Sequence, residues 1–224
     1  SLLVSSAFAI SSTPVGYVTL TINGGGFTAL SNPLEQAVVH SGTASAVNGE
    51  VITTSFSTTA DSLSATDAQG NSSHYVQTAS GLILDVTANT DSTITVASGA
   101  SNLSNGDTIL VKKYSTIGDL LGTDNSIGLT SGASVTASDV VYIMSADGLG
   151  SYGTYYYQTD PFGGFFGGNG WRTPASNSLD VSNVIIAPDD GVIVSRSSPG
   201  DLSVVVTGTV NTSDHSRSLP AGFS

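Results

Sequence analysis

The chain has 224 residues, enough for one large β-domain or two small ones with a core that needs no covalent staple. Its 17 acidic and 5 basic side chains leave a formal charge of −12, so it has no cationic face with which to bind nucleic acid or adsorb to anionic lipid. Cysteine is absent, which excludes disulfides and thiolate metal sites, and no run reaches the ~18 apolar residues of a membrane helix.

Glu, Lys and Met are scarce, while Val, Ile, Thr and Tyr fill the apolar runs. That is strand chemistry. The expectation is an all-β protein, an antiparallel sandwich or barrel-like fold, with room for two β-subdomains.

Residues 1–13 read as an N-terminal extension. The even positions Leu2, Val4, Phe8 and Ile10 are large and apolar, the odd positions Ser1, Ser5, Ala7, Ala9 and Ser11 are small or polar, and Leu3 breaks the pattern. Period-two alternation means that one strand face needs burial. The same letters also fit the tail of a secretory signal, with Ala7-Phe8-Ala9 as a small-x-small cleavage site. On the strand reading, burying four such side chains stabilises by about 6–12 kcal/mol as an upper estimate. The strand then completes either its own sheet or a neighbour's, and the second is the expectation: a donor strand joined by Ser11–Pro14 to the β-rich body, 14–224.

Within the body, Val18, Leu20 and Ile22 belong to a strand expected beside Val204–Val210, and Phe27–Leu30 is a short strand. Residues 35–50 are mostly small and suggest at most one helical turn. Val51–Phe56 is a strand, and the Ser/Thr-rich piece 57–73 is loop and turn. Three strands punctuated by Ser80-Gly81 and Asn89-Thr90-Asp91 make a meander over 75–96, and Asn105-Gly106-Asp107 leads into Thr108–Tyr114. Short strands at this spacing mark a sandwich or barrel. Ser115–Leu121 is the candidate short helix or 3₁₀ turn, and a subdomain boundary is expected near 115–125. Ser98-Gly99-Ala100-Ser101 and Ser131-Gly132-Ala133-Ser134 are a faint internal echo, each ahead of a strand. Further on, Val140–Met144, Gly153–Thr159 and Val184–Ile186 are strands. Gly191–Arg196, the Pro199-Gly200 turn and Leu202–Val210 predict a hairpin.

No Gly-x-Ser-x-Gly elbow occurs, and His40, His74 and His215 are scattered, so a serine triad lacks support. The acidic residues sit beside Gly, Asn or Ser in turns, where Asp caps the backbone, which disfavours a glycosidase carboxylate pair. No catalytic residue is assigned, and the chain does not read as an enzyme. No cofactor is expected. A structural calcium ion has weak candidate ligands in Asp119, Asp124, Asn125, Asp189 and Asp190, none in a recognised calcium-loop order.

The aromatic cluster is more informative. Tyr155, Tyr156, Tyr157, Phe162, Phe165, Phe166 and Trp171 crowd into one stretch around a Gly-rich tip. Tyr155, Tyr157 and Trp171 are candidates for stacking on a sugar face. Phe162, Phe165, Phe166 and Trp171 are candidates for a subunit interface, and the tyrosines also fit a core. An isopeptide cross-link, which a cysteine-free surface protein can use instead of disulfides, needs a buried lysine beside Asn or Asp. Lys112 and Lys113 lie in an alternating strand and are the two positions to consider; solvated lysines are the simpler reading.

Pro14-Val15-Gly16-Tyr17-Val18-Thr19-Leu20, Gly106-Asp107, Tyr114–Leu121, Tyr155-Tyr156-Tyr157, Gly170-Trp171, Gly191–Arg196 and the closing Val206–Val210 occur in an order that resembles an uncharacterised family of secreted bacterial proteins, often paralogous within one genome. In that family a Pro-Val-Gly-Tyr/Phe-Val segment follows the signal peptide. The likeness spans nearly the whole chain except residues 35–73 and the Phe/Gly tip. It implies export and an all-β body, and it carries over no catalytic residue. The expectation is an extracellular subunit on a bacterial cell surface that polymerises with itself through Leu2, Val4, Phe8 and Ile10, with a carbohydrate-binding or adhesin-type module binding surface glycans as the rival.

Overall fold

A computed structural model describes residues 15–30, 34–144, 151–160, 163–164, 167–188 and 190–210. The expectations for Leu2, Val4, Phe8, Ile10, Phe162, Phe165, Phe166 and Asp189 lie outside these residues.

The described residues are nearly all β. In chain order the strands are β1 (Val15–Ile22), β2 (Gly26–Leu30), β3 (Leu34–Glu35), β4 (Val38–Asn48), β5 (Val51–Thr54), β6 (His74–Thr78), β7 (Ile83–Asn89), β8 (Thr93–Val96) and β9 (Thr108–Lys113). After β10 (Ser115–Thr116) and a single short helix, α1 (Ile117–Leu121), come β11 (Val140–Met144), β12 (Tyr152–Gln158), β13 (Gly170–Arg172), β14 (Ile185–Ile186), β15 (Gly191–Arg196) and β16 (Leu202–Val210).

Six consecutive strands close into a barrel in the order β4-β5-β8-β7-β6-β9. Alternation turns Ile52, Val76, Leu84, Val86, Ile94, Val96, Ile109 and Val111 into one buried cluster, which Ala44 and Leu63 join. The meander over 75–96 forms as expected, with β6 paired to β7 and β7 to β8. The segment 35–50 departs from expectation: it is the 11-residue strand β4, the longest described. Its first half pairs with β9 and its second half with β5, and register shifts at Val38/His40 and Ala44/Ala46 bend it around the barrel corner. The small residues that weakened the sequence reading are what such a bend needs. A Cβ on Gly42 would lie 2.5 Å from Ser55 Oγ and 2.6 Å from the Phe56 ring.

A second hydrophobic cluster forms from the residues on either side of the barrel in sequence. Here β13-β12-β11-β15-β2 make one antiparallel sheet and β1-β16-β3 another. Ile22, Val141, Tyr155, Tyr157, Trp171, Val194, Val204 and Val206 lie between them, together with Ile117, Leu120 and Leu121 of α1. As expected, β1 pairs with β16, setting Val18 opposite Val206 and Leu20 opposite Val204. The chain crosses from this body to the barrel between Glu35 and Val38 and returns between Lys113 and Ile117. The outward crossing has no sequence signal beyond a change in residue size.

The predicted hairpin at 191–210 does not form. β15 pairs with β11 and β2, whereas β16 pairs with β1 and β3. The Pro199-Gly200 turn instead carries the chain from one sheet to the other. Face-to-face placement brings Val192 and Val194 together with Val204 and Val206 in one core, where edge pairing would align them side by side.

Candidate functional site

The barrel meets the second body along β6 and β9, and that seam holds the most unusual side chains in the molecule. Barrel alternation sends Val76, Ile109 and Val111 inward and leaves Tyr75, Gln77 and Lys112 on the outer face. All three are nevertheless buried, with Glu35 of β3 against Gln77 and Lys112 and the Tyr114 ring against Tyr75. Lys112 is 4% exposed and Gln77 1%. The Lys112 ammonium donates to Glu35 Oε2 and, at 2.6 Å, to Gln77 Oε1. Gln77 Nε2 donates to Glu35 Oε1 at 3.4 Å. Glu35 therefore touches both the amine and the amide, one with each carboxylate oxygen. Strand register sets this up: Tyr75 pairs with Lys112 and Gln77 with Leu110, so Gln77 and Lys112 are diagonal neighbours on one face.

The surroundings are aromatic. The Tyr75 and Tyr114 rings stand 4.5 Å apart, and the Tyr114 hydroxyl donates to Asp85 Oδ1 at 2.5 Å. Burial, and then the neighbouring Glu35 charge, pushes the Tyr75 hydroxyl far above its usual range. Burial, followed by the hydrogen bond to and charge of Asp85, does the same to Tyr114. Both stay neutral at physiological pH. Beyond Tyr114 lies a cleft of about 600 Å³ between the two bodies, with Asn71, Asp85, Tyr155 and Asp190 in its walls. Burial, and then Asp67 and Asp190, raises the Tyr155 hydroxyl as well. These groups form a neutral-donor and carboxylate lining.

Of the three rings expected to stack on sugar, none offers an open face. Trp171 is completely enclosed, packed edge-on to Tyr157 at 5.6 Å, and its Nε1 donates to the Gly122 carbonyl at 2.8 Å. Tyr155 and Tyr157 are buried in the same cluster, because alternate residues of β12 point to one face and that face packs into the sandwich. For the same reason Trp171 presents no surface to a neighbouring subunit. The tip is organised by Arg172, whose guanidinium donates to the carbonyls of Gly167, Gly168 and Asn177.

The acidic candidates for calcium are engaged in local turns. Asp119 closes the capping box of α1 with Thr116, and Asp124 accepts from Ser126 N. Asn125 accepts from Leu129 N and donates to its carbonyl, and Asp190 accepts from Ala187 N at 2.8 Å. Among the described residues no group of three or more His, Cys, Asp or Glu is placed to hold a metal ion, and no helix is long and apolar enough to cross a membrane.

The Glu35–Gln77–Lys112 cluster was only half visible in sequence. Lys112 stands out as a cation in an alternating strand, but Glu35 opens a run of mostly small residues that suggests at most one helical turn, and Gln77 has no distinguishing context. The chain matches no known protein family, no curated protein and no solved structure.

Proposed function

We propose that this protein is a secreted structural subunit of an extracellular, pilus-like filament on a bacterial surface, assembled with copies of itself by donation of the N-terminal strand. One observation carries the reading. Among the described residues β1, into which residues 1–13 lead, is an edge strand with an exposed apolar face: Val15 and Tyr17 are each 75% exposed, and Val205 on β16 is 61% exposed. Tyr17 pairs with Thr207 and Thr19 with Val205, so Tyr17 and Val205 are diagonal neighbours on that face. An open edge beside apolar side chains is a template for strand addition. The alternating Leu2, Val4, Phe8 and Ile10 supply a strand with one apolar face. Deleting residues 1–10 should abolish filaments in electron micrographs and leave soluble subunits. Filaments unchanged by the deletion would sink the reading.

The second reading, a secreted carbohydrate-binding or adhesin-type module, draws on the cleft lined by Asn71, Asp85, Tyr114, Tyr155 and Asp190. Neutral hydroxyl donors beside carboxylates suit the alternating donors and acceptors of a sugar. Retention on immobilised glycans that Asn71→Ala abolishes would favour it over the filament.

A further inference from the structure

We propose that Lys112 and Gln77 join in an intramolecular isopeptide bond, with Glu35 as the proton carrier. Forming this bond requires an amine in contact with an acyl group, a base for the amine, an acid for the leaving nitrogen and restricted access for water. The seam between barrel and second body supplies all four.

Lys112 Nζ donates to Gln77 Oε1 at 2.6 Å, which holds the nitrogen beside the carbonyl whose carbon it would attack. Glu35 accepts from Lys112 through Oε2 and from Gln77 Nε2 through Oε1. The side chains of Lys112 and Glu35 are 5% and 9% exposed, and Gln77 is 1% exposed. Tyr75 packs beside them, held neutral and unable to compete as a base. A buried charge pair is costly to keep dry, and the reaction removes both charges.

The step balances as follows. Glu35 Oε2 takes one proton from the Lys112 ammonium, leaving a neutral amine. Nζ attacks Gln77 Cδ, forming the C–N bond while the carbonyl π pair moves to Oε1. The carboxyl then returns a proton to Nε2 while accepting one from Nζ. As the oxyanion collapses, the Cδ–Nε2 bond breaks and ammonia leaves. One hydrogen remains on the new amide, three leave with ammonia and one stays on Glu35. No oxidant or co-reactant is required. A pocket of about 50 Å³ bordering Glu35 and Tyr75 gives the ammonia room to depart.

The bond would staple β6 to β9, the pair at the covered face of the barrel, in a chain that has no cysteine to do so. It is a modification site in its own right and holds whether or not the protein forms filaments.

Mass spectrometry of the intact, full-length chain tests it. The expected result is a loss of one ammonia, about 17 Da, from the sequence mass. Cleavage before aspartate should then release peptide 67–84 covalently joined to peptide 107–118. Peptides recovered separately at their sequence masses would overturn the proposal. So would loss of water with Lys112 linked to the peptide that contains Glu35, because Glu35 would then be the acyl donor. Glu35→Gln keeps the shape but cannot shuttle a proton. Provided circular dichroism shows that it folds, its two peptides should remain unlinked, and full cross-linking in that variant would remove Glu35 from the mechanism.

Discussion

Arg196 Nε lies 3.2 Å from Asp139 Oδ2, with both side chains shut off from solvent. Asp139 also accepts from the backbone of Thr130 at 2.9 Å and Ser197 at 3.2 Å, while Arg196 donates to the Gly200 carbonyl at 2.6 Å. The pair thus ties the approach to β11 to the turn that carries the chain between the two sheets. Asp139→Ala leaves a buried guanidinium without its counter-charge, and the expected loss of stability in urea unfolding is about 3–5 kcal/mol. Asp139→Asn keeps acceptor capacity and should lose less. A change below about 1 kcal/mol for the alanine variant would mean that the turn is held by other contacts.

That turn also marks where sequence reading stops. Pro199-Gly200 announces a reversal correctly, but nothing local says whether the strands it joins pair edge to edge or stack face to face. The difference lies in long-range partners: Val15–Ile22 takes one edge of β16, and Val140–Met144 takes one edge of β15. The all-β character, the meander and α1 were legible because they rest on local periodicity and punctuation. The strand β4 was not, since a bent strand with a close backbone approach at Gly42 selects small residues that resemble a loop. The seam site escaped for a related reason. Lys112 is polar on the outer face of a barrel strand, where solvent is the default, and only the covering strand β3 makes it buried.

Stability should fall with pH through His74. Burial, and then the Lys113 ammonium and His40, hold its imidazole below the ordinary 6.5, against a hydrogen bond to Leu63 that raises it. The folded state therefore prefers neutral His74, while the unfolded chain takes up a proton near pH 6.5. Its contribution is complete above that value and is lost as pH falls towards the lower, folded-state value. His74→Asn should flatten the decline of Tm below pH 6.5, and Lys113→Ala should weaken it. Parallel curves for wild type and His74→Asn would show that His74 does not set the slope.

Asn89 should hold the long loop at one mouth of the barrel. Its Oδ1 accepts from Leu63 N at 2.9 Å, and its Nδ2 donates to the Thr59 carbonyl at 2.6 Å and to Thr58 Oγ1 at 3.1 Å. Leu63 is thereby seated in the barrel core. Asn89→Ala leaves the buried Leu63 N–H without its partner, at a cost of about 1–3 kcal/mol. The visible consequence should be thermolysin cleavage within residues 57–66 at temperatures where the wild type resists. Asn89→Asp, which keeps the acceptor for Leu63 N, should be intermediate. Equal resistance in the alanine variant would show that Leu63 and the backbone bonds of Thr58 and Asp61 hold the loop without the Asn89 amide.

Trp171 distinguishes a structural ring from a binding ring. It is the sole tryptophan, fully enclosed, with its indole N–H on the Gly122 carbonyl and its edge on Tyr157. Trp171→Ala opens a cavity between the two sheets, and the expected cost in denaturant unfolding is about 3–5 kcal/mol. Trp171→Phe fills much of that space and removes one hydrogen bond to the Gly122 carbonyl, which keeps the Asn125 N–H, so it should cost only about 0.5–1.5 kcal/mol for the lost bond. The native indole fluorescence should be blue-shifted and move red only when the sandwich unfolds, which makes it a reporter for this body rather than for the barrel. If Trp171→Ala instead retained full stability and lost glycan retention alone, the ring would have to reach solvent, contrary to its enclosure here.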